Sequence, residues 1–212
     1  MDEPGILLDM VDRTCVELAA WFQWLEQEGL LVPNHGNDPV NAGTYGFTRN
    51  LGGYGGPVTL KDLWIHMDSQ ETVGISPETY GEFFAPFYHQ LAGYFGLVSY
   101  GCCEPVHPVW EDYVKKLPGL RKVSISPWCN EEFMGEALQG SGVIYHRKPS
   151  PNFLGVGTEL DLEAYRQHIS RTLKAARGCQ LEFSIRNIYT LGGNVKKPRM
   201  AVETIRELLK DG

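Results

Sequence analysis

The segment Gly96–Trp110, GLVSYGCCEPVHPVW, carries the densest group of reactive side chains in the sequence. The apolar run Leu97–Tyr100 is long enough for one buried strand. Two thiols, a carboxylate and an imidazole follow it: Cys102, Cys103, Glu104 and His107. In parallel α/β sheets and barrels, chemistry is housed at the carboxyl ends of the strands. This pattern therefore predicts a site for metal binding or thiol chemistry after the strand, with two small packing cysteines as the alternative.

Other apolar runs also end in polar side chains. Strands are predicted at 63–67, 120–126, 143–146 and 180–188, with a short one at 30–32. The side chains in or just beyond these runs are His66, Asp68, Gln70, Trp128, Lys148, Glu182, Arg186 and Asn187. His66 is either a satisfied interior histidine or a ligand. Lys148 and Arg186 either bind a carboxylate or phosphate of a substrate or are solvated charges at a rim.

Helices are predicted between the strands, and their order suggests a fold class. They span 3–28, 76–91, 109–117, 130–138, 161–176 and 197–210. A strand, loop and helix repeated about five times predicts a parallel α/β sheet with right-handed crossovers, in a single domain spanning 1–212. The Gly- and Asn-rich segment 34–57, which contains Tyr45, Phe47 and Tyr54, is either a lid or binding loop or a mobile insertion.

Composition excludes several function classes. The formal net charge of −7 and the lack of a basic stripe argue against nucleic acid or an anionic membrane as a partner. No apolar run approaches the roughly 20 residues of a membrane span. The N-terminus lacks the basic region of a signal peptide. Five cysteines, scattered except for the adjacent pair Cys102-Cys103, predict reduced thiols and a cytoplasmic location.

Asp68-Ser69 and the segment Ile75–Tyr88, ISPETYGEFFAPFY, together resemble the uroporphyrinogen decarboxylase superfamily. In that superfamily an aspartate at a strand end is followed by a helix of this type. The resemblance covers essentially the whole chain but only the family's C-terminal portion. It implies a (β/α)8 TIM-barrel fold, here a partial barrel of about five to six βα units, with the active site at the C-terminal face. The superfamily includes tetrapyrrole decarboxylases and zinc-dependent methyltransferases that use cobalamin or coenzyme M.

The resemblance implies a function through Cys102. The methyltransferase branch has His-x-Cys at this strand end, where the chain reads Tyr100-Gly101-Cys102, so Cys102 is the implied zinc ligand and Tyr100 replaces the histidine. The third ligand of that branch, a cysteine, has no counterpart near Arg186–Ile188. The implied function is a corrinoid-linked methyltransferase, or a fragment of one, acting at a zinc–thiolate site. The alternatives are a decarboxylase-like tetrapyrrole lyase and a non-catalytic C-terminal domain that needs a missing barrel half.

The expected roles follow from the strand ends and the resemblance together. The expected catalytic residues are Asp68 and Glu104, and the candidate metal ligands are Cys102, Cys103, His66 and His107, with Glu182 as a further one. The expected substrate or cofactor contacts are Gln70, Tyr100, Trp128, Lys148, Arg186 and Asn187. The expected cofactors are zinc and a cobalamin carried by a partner protein, and the substrate is a small molecule or that corrinoid protein. Because a closed barrel needs eight strands, we expect either a homodimer or a missing N-terminal half.

Overall fold

The computed structural model describes residues 3–41, 43–53 and 55–210, so the predicted loop residue Tyr54 lies outside it. The strands are β1 (Pro39–Asn41), β2 (Thr44–Tyr45), β3 (Trp64–Met67), β4 (Leu97–Tyr100), β5 (Leu120–Ile125), β6 (Ile144–Arg147) and β7 (Gln180–Phe183). The helices are α1 (Pro4–Gln27), α2 (Pro77–Phe83), α3 (Ala85–Ala92), α4 (His107–Trp110), α5 (Glu131–Leu138), α6 (Asn152–Gly155), α7 (Leu162–Ala175) and α8 (Lys197–Leu208).

Strands β3 to β7 form one parallel sheet in which the spatial order equals the chain order. This confirms the predicted parallel α/β architecture. Each strand lies beside the strand that precedes it in sequence, so the order never reverses as it does in a doubly wound sheet. All the carboxyl ends therefore meet along one edge, and the residues that follow Met67, Tyr100 and Arg147 come together there.

The two faces of the sheet differ in chemistry. One face carries fully buried apolar side chains, and residues of α3, α4 and α5 pack on it. The members of this cluster include Val98, Tyr100, Val123, Ile125, Tyr145, Ala92, Trp110, Met134 and Leu138. Because successive side chains of a strand alternate between faces, the residues between them point the other way. That opposite face is polar, and its laterally paired residues include His66, Ser99, Lys122, Ser124, His146 and Glu182.

The segment 34–57 covers part of the polar face. Strands β1 and β2 form an antiparallel hairpin, and Lys122 Nζ donates to Thr44 Oγ1 and to the Tyr45 carbonyl oxygen. Lys122 is 3% exposed and pairs with Glu182 at 2.7 Å. A lysine in the middle of the sheet thus holds the hairpin against the polar face through hydrogen bonds to the segment.

Several predicted elements differ from those observed. The predicted strand 30–32 is wrong, because these residues pair with no other strand that the structure describes. On the outer side of β3, the side-chain amide of Asn34 accepts from the Trp64 N–H and donates to the Trp64 carbonyl oxygen. The predicted helix 76–91 is divided at Phe84, because Pro86 has no N–H to continue the helical hydrogen bonds. The predicted strand 180–188 ends at Phe183.

The segment after β4 also departs from the prediction. The predicted helix 109–117 is replaced by α4 and a 3₁₀ turn, Val114–Lys116. Helix α4 begins at His107, earlier than predicted, because Pro108 is well suited to a first helical turn. Helix α6 was not predicted, because four residues carry too little periodicity to be recognised. In the part of the chain that the structure describes, no helix has the length and apolar character needed to cross a bilayer.

Helices α5 and α7 approach closely at Gly135. A Cβ atom at this position would lie well inside van der Waals contact of the Ala175 carbonyl oxygen, which is backbone and cannot rotate away. We therefore expect Gly135→Ala to lower the free energy of unfolding by about 1–3 kcal/mol, as overpacking does. Urea denaturation measures this change.

Gly5 in α1 provides the matched control, because a Cβ atom there would meet nothing within 4 Å. Gly5→Ala should leave the stability unchanged or raise it by up to about 1 kcal/mol, since alanine is the better helix former. Equal effects of the two substitutions would show that the α5–α7 approach is not tight.

Candidate functional site

A pocket of about 650 Å³ opens at the carboxyl edge of the sheet. Its lining includes five residues predicted from the sequence: Gln70, Cys102, Cys103, Arg186 and Asn187. They follow β3, β4 and β7, so the outer strands of the sheet both contribute to one cavity. Asp68 and Cys102 lie at the same end of the sheet, as the predicted parallel arrangement of β3 and β4 requires.

The two thiols lie together at the pocket wall. Gly101 has a φ of +94°, a conformation that side chains rarely adopt, and it ends β4 just before Cys102. Alternation of side chains no longer applies beyond the strand, so Cys102 and Cys103 both line the pocket. Their Sγ atoms are 3.7 Å apart. All five cysteines are described, and none forms a disulfide.

Two donors from the segment after β7 contact these sulfurs. Arg186 Nη1 lies 3.3 Å from Cys102 Sγ, and Asn187 Nδ2 lies 3.8 Å from Cys103 Sγ. Asn187 has a φ of +62°, the sole positive value for a non-glycine residue in the described ranges. Donors facing sulfur favour the thiolate form. Burial nevertheless raises the pKa of the Cys102 thiol, against the opposing charges of Lys148 and Arg186.

Lys148 is buried behind the thiols. It is 3% exposed, and its Nζ donates to the Cys102 carbonyl oxygen at 2.8 Å. Ser124 Oγ donates to the same oxygen at 2.9 Å. Burial lowers the pKa of Lys148, and the nearby Arg186 adds to this effect while Cys102 opposes it. Lys148 therefore fixes the backbone of the loop that follows β4 and carries Cys102 and Cys103, and it brings a positive charge beneath this loop.

Glu104 holds the loop rather than facing the cavity. It is 5% exposed, and its carboxylate accepts from the backbone N–H groups of Ser69 at 2.9 Å and Cys102 at 2.8 Å. One side chain thus ties the end of β3 to the end of β4. The structure gives Glu104, which the sequence suggested as catalytic, a positioning role.

The polar face continues beneath the site through two histidines. His66 Nε2 pairs with Asp68 Oδ2 at 2.9 Å, and burial lowers the pKa of His66 despite that carboxylate. The Nδ1 atom of His66 is buried with no hydrogen-bond partner among the described residues. His146, which is 1% exposed, lies 2.6 Å from Ser184 Oγ. His66 and Asp68, both predicted site residues, thus form a pair at this end of the sheet.

Four predicted site residues lie elsewhere. Tyr100 is the last residue of β4 and points to the helix-facing side, where its hydroxyl bonds Tyr80 Oη at 2.9 Å. His107 accepts from the Asn130 backbone N–H at 3.3 Å at the start of α5. Trp128 is 73% exposed and does not line the pocket. Glu182 forms an ion pair with Lys122 instead of facing the pocket.

Some residues at the site were missed. His146 and Ser184 belong to the polar face, and Asn152 and Tyr189 line the pocket. A signal for the first two was present, because polar residues recur at every second position of the predicted strands, as in Lys122, Ser124 and Ser126. No such periodicity marks Asn152 or Tyr189, which lie outside the strands.

The described side chains include no group of three or more His, Cys, Asp or Glu residues arranged to hold a metal ion. The potential metal ligands that lie together at the pocket are the thiols of Cys102 and Cys103. Comparison with known proteins adds no assignment: no family model, no curated protein sequence and no solved structure matches this chain.

Proposed function

We propose that this chain carries the catalytic edge of a corrinoid-linked methyltransferase that resembles the uroporphyrinogen decarboxylase superfamily, acting at a zinc–thiolate site. The observation that carries the proposal is the pair of thiols, 3.7 Å apart, on the wall of the pocket at the carboxyl edge of the parallel sheet. Sites at this edge are typical of parallel α/β enzymes.

The sulfur separation suits zinc. Two thiolates at about 2.3 Å from a tetrahedral zinc ion are about 3.8 Å apart. Cys102 and Cys103 would hold the metal, and bound zinc would lower the pKa of a substrate thiol so that it reacts as a thiolate. Catalytic zinc sites usually have three protein ligands, so this pair is a partial set. The proposal requires further ligands from the substrate or from another part of the protein.

The surrounding residues have distinct tasks in this proposal. Arg186 and Asn187 donate toward the sulfurs and stabilise their ionised form. Glu104 and Lys148 fix the backbone of Cys102, from its N–H and its carbonyl oxygen respectively. With these contacts the loop is held before a ligand arrives, which is the arrangement that rapid chemistry requires.

The wider proposal concerns the barrel and its partners. Five strands in chain order, with helices packed on one face and polar side chains on the other, are compatible with part of a (β/α)8 barrel. Strands β3 and β7 are the edges of this sheet. We propose that a second copy or an N-terminal barrel half completes the sheet at these edge strands, that a partner protein carries the cobalamin, and that the protein acts in the cytoplasm.

The proposal is tested with methylcobalamin and 2-mercaptoethanol as the methyl donor and acceptor. In the expected step the thiolate sulfur takes the methyl group as the cobalt–carbon bond breaks, and cob(I)alamin is left with the bonding electrons. We expect about one zinc per chain and zinc-dependent loss of methylcobalamin absorbance under anaerobic conditions. Lack of metal after zinc addition, together with no methyl transfer, would contradict the proposal and favour a non-catalytic domain.

A further inference from the structure

Two cations at the pocket have no carboxylate partner. The described residues form four ion pairs between lysine or arginine and glutamate, besides the His66–Asp68 contact, and neither Lys148 nor Arg186 takes part in any of them. Glu104 acts on Lys148 through its charge, but its oxygens bond backbone N–H groups instead. In a chain with a net charge of −7, the site thus holds a buried lysine and a pocket arginine that no described carboxylate pairs with directly.

The charges of Lys148 and Arg186 also act on His146. Burial holds the pKa of His146 well below its usual range, and the charges of Lys148, Lys122 and Arg186 lower it further. Lys122 is neutralised by Glu182. Among the described side chains, Lys148 and Arg186 are therefore the cations without a carboxylate partner at the carboxyl end of the sheet, and Arg186 lines the cavity there.

Away from Arg186, the pocket is lined by uncharged residues. Pro151, Gly155 and Val156 line it together with Tyr189, whose side chain is 95% exposed. An exposed aromatic ring beside a cavity offers apolar contact area with a polar tip. A ligand that suits both Arg186 and the apolar lining residues has an oxyanion and an apolar body.

We propose that this pocket binds a small oxyanion-bearing molecule, a carboxylate or a phosphate with an apolar body, through the guanidinium of Arg186 with Lys148 as the supporting charge. The planar fork of arginine matches either oxyanion by two parallel hydrogen bonds. Binding places the oxyanion beside Cys102, whose Sγ lies 3.3 Å from Arg186 Nη1, and the apolar body against Pro151, Val156 and Tyr189. The inference deepens the proposed function, since it names the substrate class of the same pocket, but it requires no metal.

Calorimetric titration of the chelator-treated chain with benzoate and with phenyl phosphate tests the inference, and benzyl alcohol is the neutral comparison. We expect saturable binding of at least one anion and none of the alcohol, and the anion that binds identifies the class. Arg186→Gln should weaken that binding by about tenfold or more, as expected for loss of a charged hydrogen bond. The affinity of Arg186→Lys should lie between those of the wild type and Arg186→Gln, because lysine keeps the charge but lacks the planar guanidinium.

Arg199→Gln is the matched control, since Arg199 is an exposed arginine of α8 that does not line the pocket. Circular dichroism of each variant reports whether the chain is folded. Failure of both anions to bind, or equal binding by wild type and Arg186→Gln, would overturn the inference. The titration contains no zinc, so its result does not depend on the methyl-transfer assay. If an anion binds but the zinc-loaded chain transfers no methyl group, only the proposed function is refuted. If methyl transfer occurs but neither anion binds, only this inference is refuted.

Discussion

Replacing Cys102 with serine should reduce zinc binding from about one ion per chain to near background. Loss of residues that merely support a metal ligand typically lowers affinity 10–100-fold, so loss of one of two thiolates should cost at least about that much. The Sγ atoms of Cys102 and Cys103 converge at 3.7 Å, and neither is needed for the helix-facing core. The fold should therefore survive the substitution. Metal analysis after dialysis against zinc, with circular dichroism on the same sample, measures both effects.

Cys103→Ser should behave in the same way, because both sulfurs line one pocket. Cys179→Ser is the control. The thiol of Cys179 is half-buried like that of Cys102, but it does not line the pocket and donates to the Gly135 carbonyl oxygen. Full zinc content in Cys102→Ser, or an equal loss in Cys179→Ser, would show that the metal binds elsewhere.

Removal of the Glu131 carboxylate should strongly destabilise the fold. Glu131 pairs with Arg147, which is 1% exposed and also donates to the carbonyl oxygens of Ile125 and Ser126. Thr172 Oγ1 donates to the other carboxylate oxygen, so the group joins α5, β6 and α7. Breaking a buried pair leaves an uncompensated charge and costs about 3–5 kcal/mol. Because the Glu131 side chain is 23% exposed, we expect Glu131→Ala to lie near the lower figure.

Thermal unfolding measures this effect. A loss of about 3 kcal/mol corresponds to a Tm that is about 6–12 °C lower for a domain of this size. Glu132→Ala is the matched control, since Glu132 lies in the same first turn of α5 and is exposed. It loses the same favourable interaction with the helix N-terminus but breaks no buried pair. Similar Tm values for the two variants would show that Arg147 does not depend on Glu131.

Local patterns were sufficient to predict most of the framework. Runs rich in apolar residues predicted the five parallel strands, which span four to six residues each. Residues suited to helix capping stand at three of the helix starts. Ser76, Asn130 and Asp161 each accept from a backbone N–H three residues onward, as their side-chain chemistry favours. These interactions span a few residues, so the sequence carries them without knowledge of the fold. The gathering of Asp68 and Cys102 at one edge followed from the parallel order alone.

The site's internal chemistry was decided by tertiary structure. Lys148 reaches the carbonyl oxygen of a residue 46 positions away, and Arg186 reaches a sulfur 84 positions away. No local pattern encodes such contacts, so the sequence left Lys148 and Arg186 open as rim charges and offered Glu104 as a catalytic group. Tyr100 and Cys102 differ by two positions, yet one packs against Tyr80 and the other lines the pocket, because Gly101 ends the strand between them. Where a side chain points after a strand has ended depends on which distant groups it meets, and only the folded chain brings those groups together.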